Sequence, residues 1–331
     1  MKKVRITWPK NEYISRQTFE NSLIWGNYEF TFEEIPIADY WIIVNNYQLV
    51  NLTCFCPPSN ILYILQEPSS ISEYNNDNHS EEFIKQFGSF ITTQVSIQGS
   101  NVKLQQVGIP WLINKSIEDL YKQSMPDKTK FISIATSNKT YTKGHRNRIE
   151  CAMKIKRYFG SYVDLFGRGF NDFYDKWDVV SPYRYHISIE NSVEKNYFSE
   201  KIVDPILAYT LPIYYGCPNI SDFFDLPEYL QILDLNSFDS IKKKIKFIIE
   251  NDQIYNNNLQ FLTDARLKII EKYNFFPMVC AIMDQMDPSL PRNNKILYSK
   301  IRSSKLLTLK KVIHKNLFLT KINIFNYHDF T

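Results

Sequence analysis

Short apolar runs alternate with longer amphipathic stretches over most of this chain, and that alternation limits what it can fold into. Val4–Trp8, Tyr40–Val44, Ile61–Leu65 and Phe90–Thr93 read as strands, as do Phe131–Ala135, Val163–Phe166, His186–Ile189 and Pro212–Tyr215. Helical spacing runs over Arg146–Phe159, stopping at Gly160, and over Ser240–Glu250. Strands separated by helices pair in parallel, because each helical crossover carries the chain back to the end of the sheet where the previous strand began, and helices then cover both faces. A length of 331 residues exceeds one ordinary core and fits two such units. The join falls near Lys122–Lys130, where Ser, Met, Pro, Asp and three Lys make linker chemistry. Two Rossmann-like units are expected, over 1–122 and 123–285, followed by a tail over 286–331.

Composition removes several classes. A 44% hydrophobic and 22% charged chain is globular rather than disordered throughout. Its aromatic residues, 15% of the total, are read chiefly as core. Five scattered cysteines do not form a disulfide framework, and Cys54-Phe55-Cys56 lacks the second pair or histidine cluster that zinc requires. Two buried thiols are expected there instead. The basic start, Met1-Lys2-Lys3, is followed by no apolar run long enough for a signal peptide or a bilayer span. The sequence therefore reads as a cytoplasmic chain.

The tail differs in character. Nine Lys or Arg fall between Arg292 and Lys321, and no Asp or Glu falls between Asp287 and Asp329. Ile296, Leu297, Ile301, Leu306, Leu307, Val312, Ile313, Leu317 and Phe318 are interleaved with them. A basic amphipathic helix or helix pair is expected, suited to an anionic membrane surface on the inner face of the cytoplasmic membrane. With a whole-chain charge of only +4, nucleic acid is not the expected partner.

The chemistry concentrates between Tyr183 and Asn219. The segment reads as a strand, a polar loop through Glu190-Asn191-Ser192, a helix start at Ser199-Glu200-Lys201, and a second strand ending in Gly216-Cys217-Pro218. Ser199 is a natural N-cap. The helix would present amide donors and a lysine where a loop leaves the carboxyl end of a strand, which suits a diphosphate.

This stretch resembles the donor-binding motif of the α-1,3/1,4-fucosyltransferases, glycosyltransferase family 10. The family pattern is met by Ile189-Glu190-Asn191-Ser192, Tyr197-Phe198-Ser199-Glu200-Lys201 and Pro212-Ile213-Tyr214-Tyr215-Gly216-Cys217-Pro218. Ile189, Ser199 and Tyr215 replace Phe, Thr and Trp, and Pro205 falls inside the expected helix. The resemblance extends over about 130–270. Thr136-Ser137-Asn138 is similar to the family's turn after a strand, His145-Arg146-Asn147-Arg148 to its arginine-bearing helix start, and Asp164-Leu165-Phe166-Gly167 to its following turn. In the weaker N-terminal half, Leu65-Gln66-Glu67-Pro68 is similar to the turn that carries the family's proposed base.

The resemblance implies a GT-B-like α/β fold, with an acceptor-binding unit, a donor-binding unit and a central cleft between them. It implies inverting transfer of L-fucose from GDP-fucose to a glycan hydroxyl. Glu67, Glu200 and Lys201 would be catalytic: Glu67 as base, Lys201 on the leaving diphosphate, Glu200 orienting Lys201 or accepting from a sugar hydroxyl. Arg146, Asn191, Tyr197, Ser137 and Asn138 would bind the donor, with Arg148 the alternative to Arg146 and Glu190 bonding the loop backbone. An arginine at a helix start opposes the helix dipole unless it meets an anion. No Asp-x-Asp occurs, so no obligatory metal or other cofactor is expected. The acceptor would be an N-acetylglucosamine- or glucose-containing glycan, lipid-linked where the tail meets the membrane. Another nucleotide sugar, a non-catalytic sugar-binding module and a nucleic-acid-binding tail are the competing readings.

Overall fold

The computed structural model describes residues 1–8, 14–45, 52–72, 80–140 and 142–297. The N-terminal unit contains β1 (Lys2–Thr7), β2 (Ile24–Trp25), β3 (Tyr28–Thr31), β4 (Tyr40–Val44), β5 (Leu52–Cys56), β6 (Ile61–Leu65), β7 (Ser89–Thr92) and β8 (Val102–Leu104). Seven of these strands form one sheet in the order β2-β3-β1-β4-β6-β7-β8. Its pairs are parallel, apart from the short β2–β3 hairpin. β4 and β6 are unbroken apolar runs and are buried throughout, as strands covered on both faces must be.

The second unit is built on β9 (Lys130–Ala135), β10 (Val163–Phe166), β11 (Tyr183–Ile189) and β12 (Leu211–Tyr215). All its pairs are parallel, in the order β10-β9-β11-β12. The chain leaves β9 for β10 on one side and later reaches β11 on the other, so the strand order reverses at β9. Ligands of open α/β sheets bind at such reversals, beyond the carboxyl ends of the strands. β11 begins at Tyr183, earlier than its apolar run suggests. The buried Tyr183 and Tyr185 alternate with Arg184, and the Tyr183 hydroxyl donates to Asp164 Oδ2 at 2.7 Å.

The chain then crosses back. Helix Phe275–Met283, placed by chain order in the second unit, packs in the core of the first sheet with Val4, Ile6, Phe30, Tyr40 and Ile42. Gly108 permits that packing: its φ is +67°, and a Cβ there would lie 2.6 Å from Met278 Cε. The start of the expected basic helical tail is a strand instead. β13 (Asn293–Leu297) pairs antiparallel with β5, and Leu297 buries against the first sheet's second core. The rest of that expected tail, 298–331, lies outside the described residues. Cys54 and Cys56 are buried thiols on β5, and burial pushes the Cys56 thiol up to about 12.

Candidate active site

The carboxyl ends of both parallel sheets open into one cleft with two adjoining lobes. The first lobe holds about 810 Å³ and lies between the units. From the first sheet it takes Trp8 after β1, Asn45 after β4, and Gln66 and Glu67 after β6, with Trp111 from the connecting segment. The second lobe, about 740 Å³, is lined by Thr136 after β9, Gly167 and Arg168 after β10, and Tyr174 and Lys176. Leu112, Ser137, Lys139, Arg148, Glu200 and Lys201 line both lobes and mark their junction.

The helix Lys143–Phe159 supplies Arg148. Thr142 caps it, its hydroxyl accepting from the His145 N–H at 3.2 Å. The inward face carries His145, Arg148, Ile149, Ala152 and Ile155. Arg148 is 6% exposed, and its Nε donates to Thr136 Oγ1 at 3.0 Å and its Nη2 to Ser137 Oγ at 3.3 Å. Burial favours its neutral form, and Glu190 and Glu200 oppose that. Arg146 points elsewhere: its Nη1 donates to the Thr140 carbonyl at 3.1 Å, and it lines neither lobe. Of the paired arginines, Arg148 is therefore the one in the cleft. Ser137 is there too, whereas Asn138 lines neither lobe. Gly167 lets the β10 turn close on this corner. Its φ is +124°, and a Cβ there would stand 1.8 Å from the Thr136 carbonyl oxygen. Gly144, in the first turn of the helix, serves the opposite wall, where a Cβ would stand 1.9 Å from the Asn191 carbonyl oxygen.

The loop between β11 and the helix Glu200–Leu207 supplies the rest. Asn191 Oδ1 accepts from the Tyr197 hydroxyl at 3.0 Å. Asn196 holds a left-handed φ of +65°, and Asn219 fixes it by accepting from the Asn196 N–H at 2.8 Å and donating to its side chain at 2.9 Å. Ser199 caps the helix as its sequence position suggests. Pro205 does not break that helix. A proline at this position leaves the Lys201 carbonyl without its helical donor, and the Ser188 hydroxyl of β11 donates to that carbonyl at 2.6 Å. The loop also grips the other unit: Ser69 donates to Glu194 Oε1 through its N–H at 2.7 Å and its hydroxyl at 2.6 Å.

Electrostatics at the junction are set by a coupled cluster. Lys201 Nζ lies 3.2 Å from Glu190 Oε2 and 3.3 Å from Glu200 Oε1. Burial works against the ammonium, but Glu190 and Glu200 outweigh both burial and Arg148, so its pKa is raised. Burial likewise works against the Glu200 carboxylate, yet Lys201 and Lys176 hold it down to about 2. Both groups are charged across the physiological range. Lys201's contribution to stability is present below its ordinary pKa and is lost as pH rises through the raised value. That of Glu200 is present above its ordinary value and is lost as pH falls towards about 2. His145, in the first lobe, is held neutral by burial first and then by Arg148 and Lys201, which push it down to about 3.

Of the residues singled out in the sequence, Ser137, Glu67, Asn191, Tyr197, Glu200 and Lys201 come together in the first lobe. Sequence reasoning passed over His145, Lys139, Gln17 and Trp111. His145 shares the helical phase of Arg148; Lys139 and Trp111 sit on irregular segments, and Gln17 on a single 3-10 turn, so none of these three carries a periodic signal. Among the described residues, no group of three or more His, Cys, Asp or Glu converges as a metal site.

Two parallel α/β sheets that face a cationic cleft, at the point where the strand order of one reverses, are the architecture expected of a GT-B-like fold. Residues 125–303, more than half of the chain, match the model of glycosyltransferase family 10 (fucosyltransferase), C-terminal part. The chain belongs to that family. An α-(1,3)-fucosyltransferase of Helicobacter pylori is 27% identical over 106 residues, covering 30% of this chain and 22% of the relative. The rat 4-galactosyl-N-acetylglucosaminide 3-α-L-fucosyltransferase 9 is 22% identical over 170 residues, covering 46% of this chain and 47% of the relative. The alignments thus span between about a fifth and a half of these relatives' lengths. A crystal structure of an α1,3-fucosyltransferase superposes with a TM-score of 0.49 at 16% identity, covering 88% of this chain and 91% of that one.

Proposed function

We propose that this chain transfers L-fucose from GDP-fucose to a glycan hydroxyl with inversion at the anomeric carbon. What carries the reading is the junction of the two lobes, where Arg148 and Lys201 flank Glu200 at the carboxyl ends of β9 and β11. The nucleotide occupies the second lobe, and the acceptor enters the first lobe from the side of the first sheet. The diphosphate rests at the junction. As the glycosidic bond breaks, charge grows on the leaving phosphate, and preformed cations there stabilise it more in the transition state than in the ground state. Arg148 offers a fork and Lys201 a point charge. Ser137 adds a hydroxyl, and Asn191 and Tyr197 hold donor hydroxyls. Arg146, bonded to the Thr140 carbonyl, and Asn138 line neither lobe and are not assigned a contact with the donor. Glu67, on the facing wall, takes the acceptor proton.

GDP is expected to raise the thermal midpoint of the chain, by the equivalent of about 2.7 kcal/mol at a hundredfold excess over its dissociation constant. UDP should leave the midpoint unchanged, and GDP-fucose should donate to members of an array of lactosamine-type and O-antigen glycans. Stabilisation by UDP but not GDP would overturn the fucosyl reading. GDP binding without any transfer or donor hydrolysis would favour a non-catalytic module.

The acidic-residue-free stretch that follows Asp287 supports attachment to an anionic membrane beside a lipid-linked acceptor. Among the described residues no helix is long and apolar enough to cross a membrane. The full chain should float with phosphatidylserine-containing liposomes at low salt, and a chain ending at 297 should not. Equal flotation of the two removes the tail from the mechanism.

A further inference from the structure

Behind the cleft lies a carboxylate that touches neither lobe. Glu190 directly follows β11, is 1% exposed, and its side chain is fully enclosed. Its Oε1 accepts from the Ser199 N–H and from the Ser199 hydroxyl, both at 2.8 Å, and its Oε2 lies 2.7 Å from the same hydroxyl. Lys201 Nζ in turn donates to Ser199 Oγ at 2.8 Å and stands 3.2 Å from Glu190 Oε2. The seat is rigid. The Glu190 N–H donates to the Tyr215 carbonyl at 2.8 Å, and Gly216 leaves no spare room, since a Cβ there would lie 2.4 Å from Glu190 Cγ. We infer that Glu190 is a positioning residue, which, with Ser199 as the bridge, fixes the Lys201 ammonium at the junction of the two lobes. The inference rests on the reading of that junction as a diphosphate site.

Backbone bonding alone does not account for this arrangement. A carboxylate used only to tie a loop needs N–H or O–H partners, and Ser199 supplies them. Enclosing a charge is costly unless a counter-charge accompanies it, and Lys201 is the cation in contact. The benefit runs the other way too. A lysine stem has several freely rotating bonds, so an unheld ammonium samples many positions. Arg148 on the helix Lys143–Phe159 repels it, and burial disfavours its charge. Glu200, on the same helix as Lys201, shares the counter-charge, but its side chain is 27% exposed and faces the cleft. His145 is neutral and adds no charge to the cluster. Glu190 is therefore the fixed anion and Glu200 the one that meets the ligand.

The test uses the full chain with Glu190→Gln, an isosteric change that removes the charge, and Glu190→Asp, which keeps the charge and shortens the reach. The Lys201 Cε signal, identified through Lys201→Arg, is titrated by NMR without ligand, and GDP binding is measured by calorimetry from neutral to alkaline pH. In Glu190→Gln, Lys201 should titrate at least about one unit lower, and at alkaline pH GDP should bind about tenfold more weakly. In Glu190→Asp the titration should lie close to that of the parent chain, with an intermediate loss of GDP affinity. Should Glu190→Gln not fold, Glu190→Asp still decides: parent-like GDP affinity in that variant overturns the inference. So does a folded Glu190→Gln whose Lys201 titration matches the parent, because only stability would then depend on Glu190. A parent chain that ignores GDP sinks the diphosphate reading by itself, while the ligand-free titration still judges the role of Glu190.

Discussion

Arg148→Lys is expected to lower fucosyl transfer about 10²–10³-fold, while Arg146→Lys stays within about twofold of the parent chain. The two arginines are two residues apart on one helix and differ in what they face. Arg146 is half-buried and bonded to the Thr140 carbonyl, outside both lobes. Arg148 sits where the lobes meet, already anchored through Nε and Nη2 to Thr136 and Ser137. Of the five N–H donors of a guanidinium, those left over can meet an anion in a fixed plane. Lysine keeps one positive charge but loses the fork. It would also stand in a buried setting beside Lys201, where the neutral amine is favoured, a loss that arginine escapes. The effect should fall on kcat more than on KM, because charge on the leaving phosphate grows in the transition state. Thermal midpoints taken alongside the kinetics separate misfolding from lost chemistry. Parent-like transfer by Arg148→Lys, or an equal loss in Arg146→Lys, would remove the assignment.

The choice between these arginines shows what was legible in the chain and what was not. The strand, loop, cap and helix that carry Asn191, Tyr197, Ser199, Glu200 and Lys201 were legible, because they are local and follow in order. Arg148 was legible in principle. Ile149, Ala152 and Ile155 repeat at helical spacing, and Arg148, not Arg146, is in phase with them. An arginine in an apolar stripe is the one to suspect. What was hidden depends on distant partners. β5 and β13 are short, and each becomes a strand by pairing with the other across the length of the chain. Helix Phe275–Met283 reads as core, but nothing local says that it is the core of the first sheet. The Glu190–Lys201 contact was equally obscure, because spacing along a loop does not reveal which carboxylate ends up enclosed.

Glu67→Gln should lower kcat about 10²–10⁴-fold and leave GDP binding within about a factor of two. Among the described residues, Glu67 and Glu200 line the first lobe and Glu190 lies behind it, and their surroundings suit them to different work. Glu190 is enclosed and paired, so it reaches no substrate. Glu200 faces the cleft, but its carboxyl is held down to about 2 by Lys201 and Lys176, and so weak a base takes a proton poorly near neutral pH. It suits a fixed charge that accepts from a sugar hydroxyl. Glu67 is left. It lines the first lobe just after β6 of the first sheet, whereas Lys139, Arg148 and Lys201 come to that lobe from the second unit. Its turn is held in place, the backbone carbonyl accepting from Gln94 Nε2 at 2.8 Å. Its charge reaches the reacting region: ionisation of the Tyr197 hydroxyl is opposed first by burial, then by Glu190, Glu200 and Glu67. An amide at this position keeps the size and the hydrogen bonding but accepts no proton. The acidic limb of the kcat profile should therefore vanish in Glu67→Gln, whereas Glu200→Gln should keep that limb and weaken donor binding. Near-parent kcat in Glu67→Gln, with the acidic limb intact, would transfer the base to another group and leave Glu67 as a wall of the acceptor lobe.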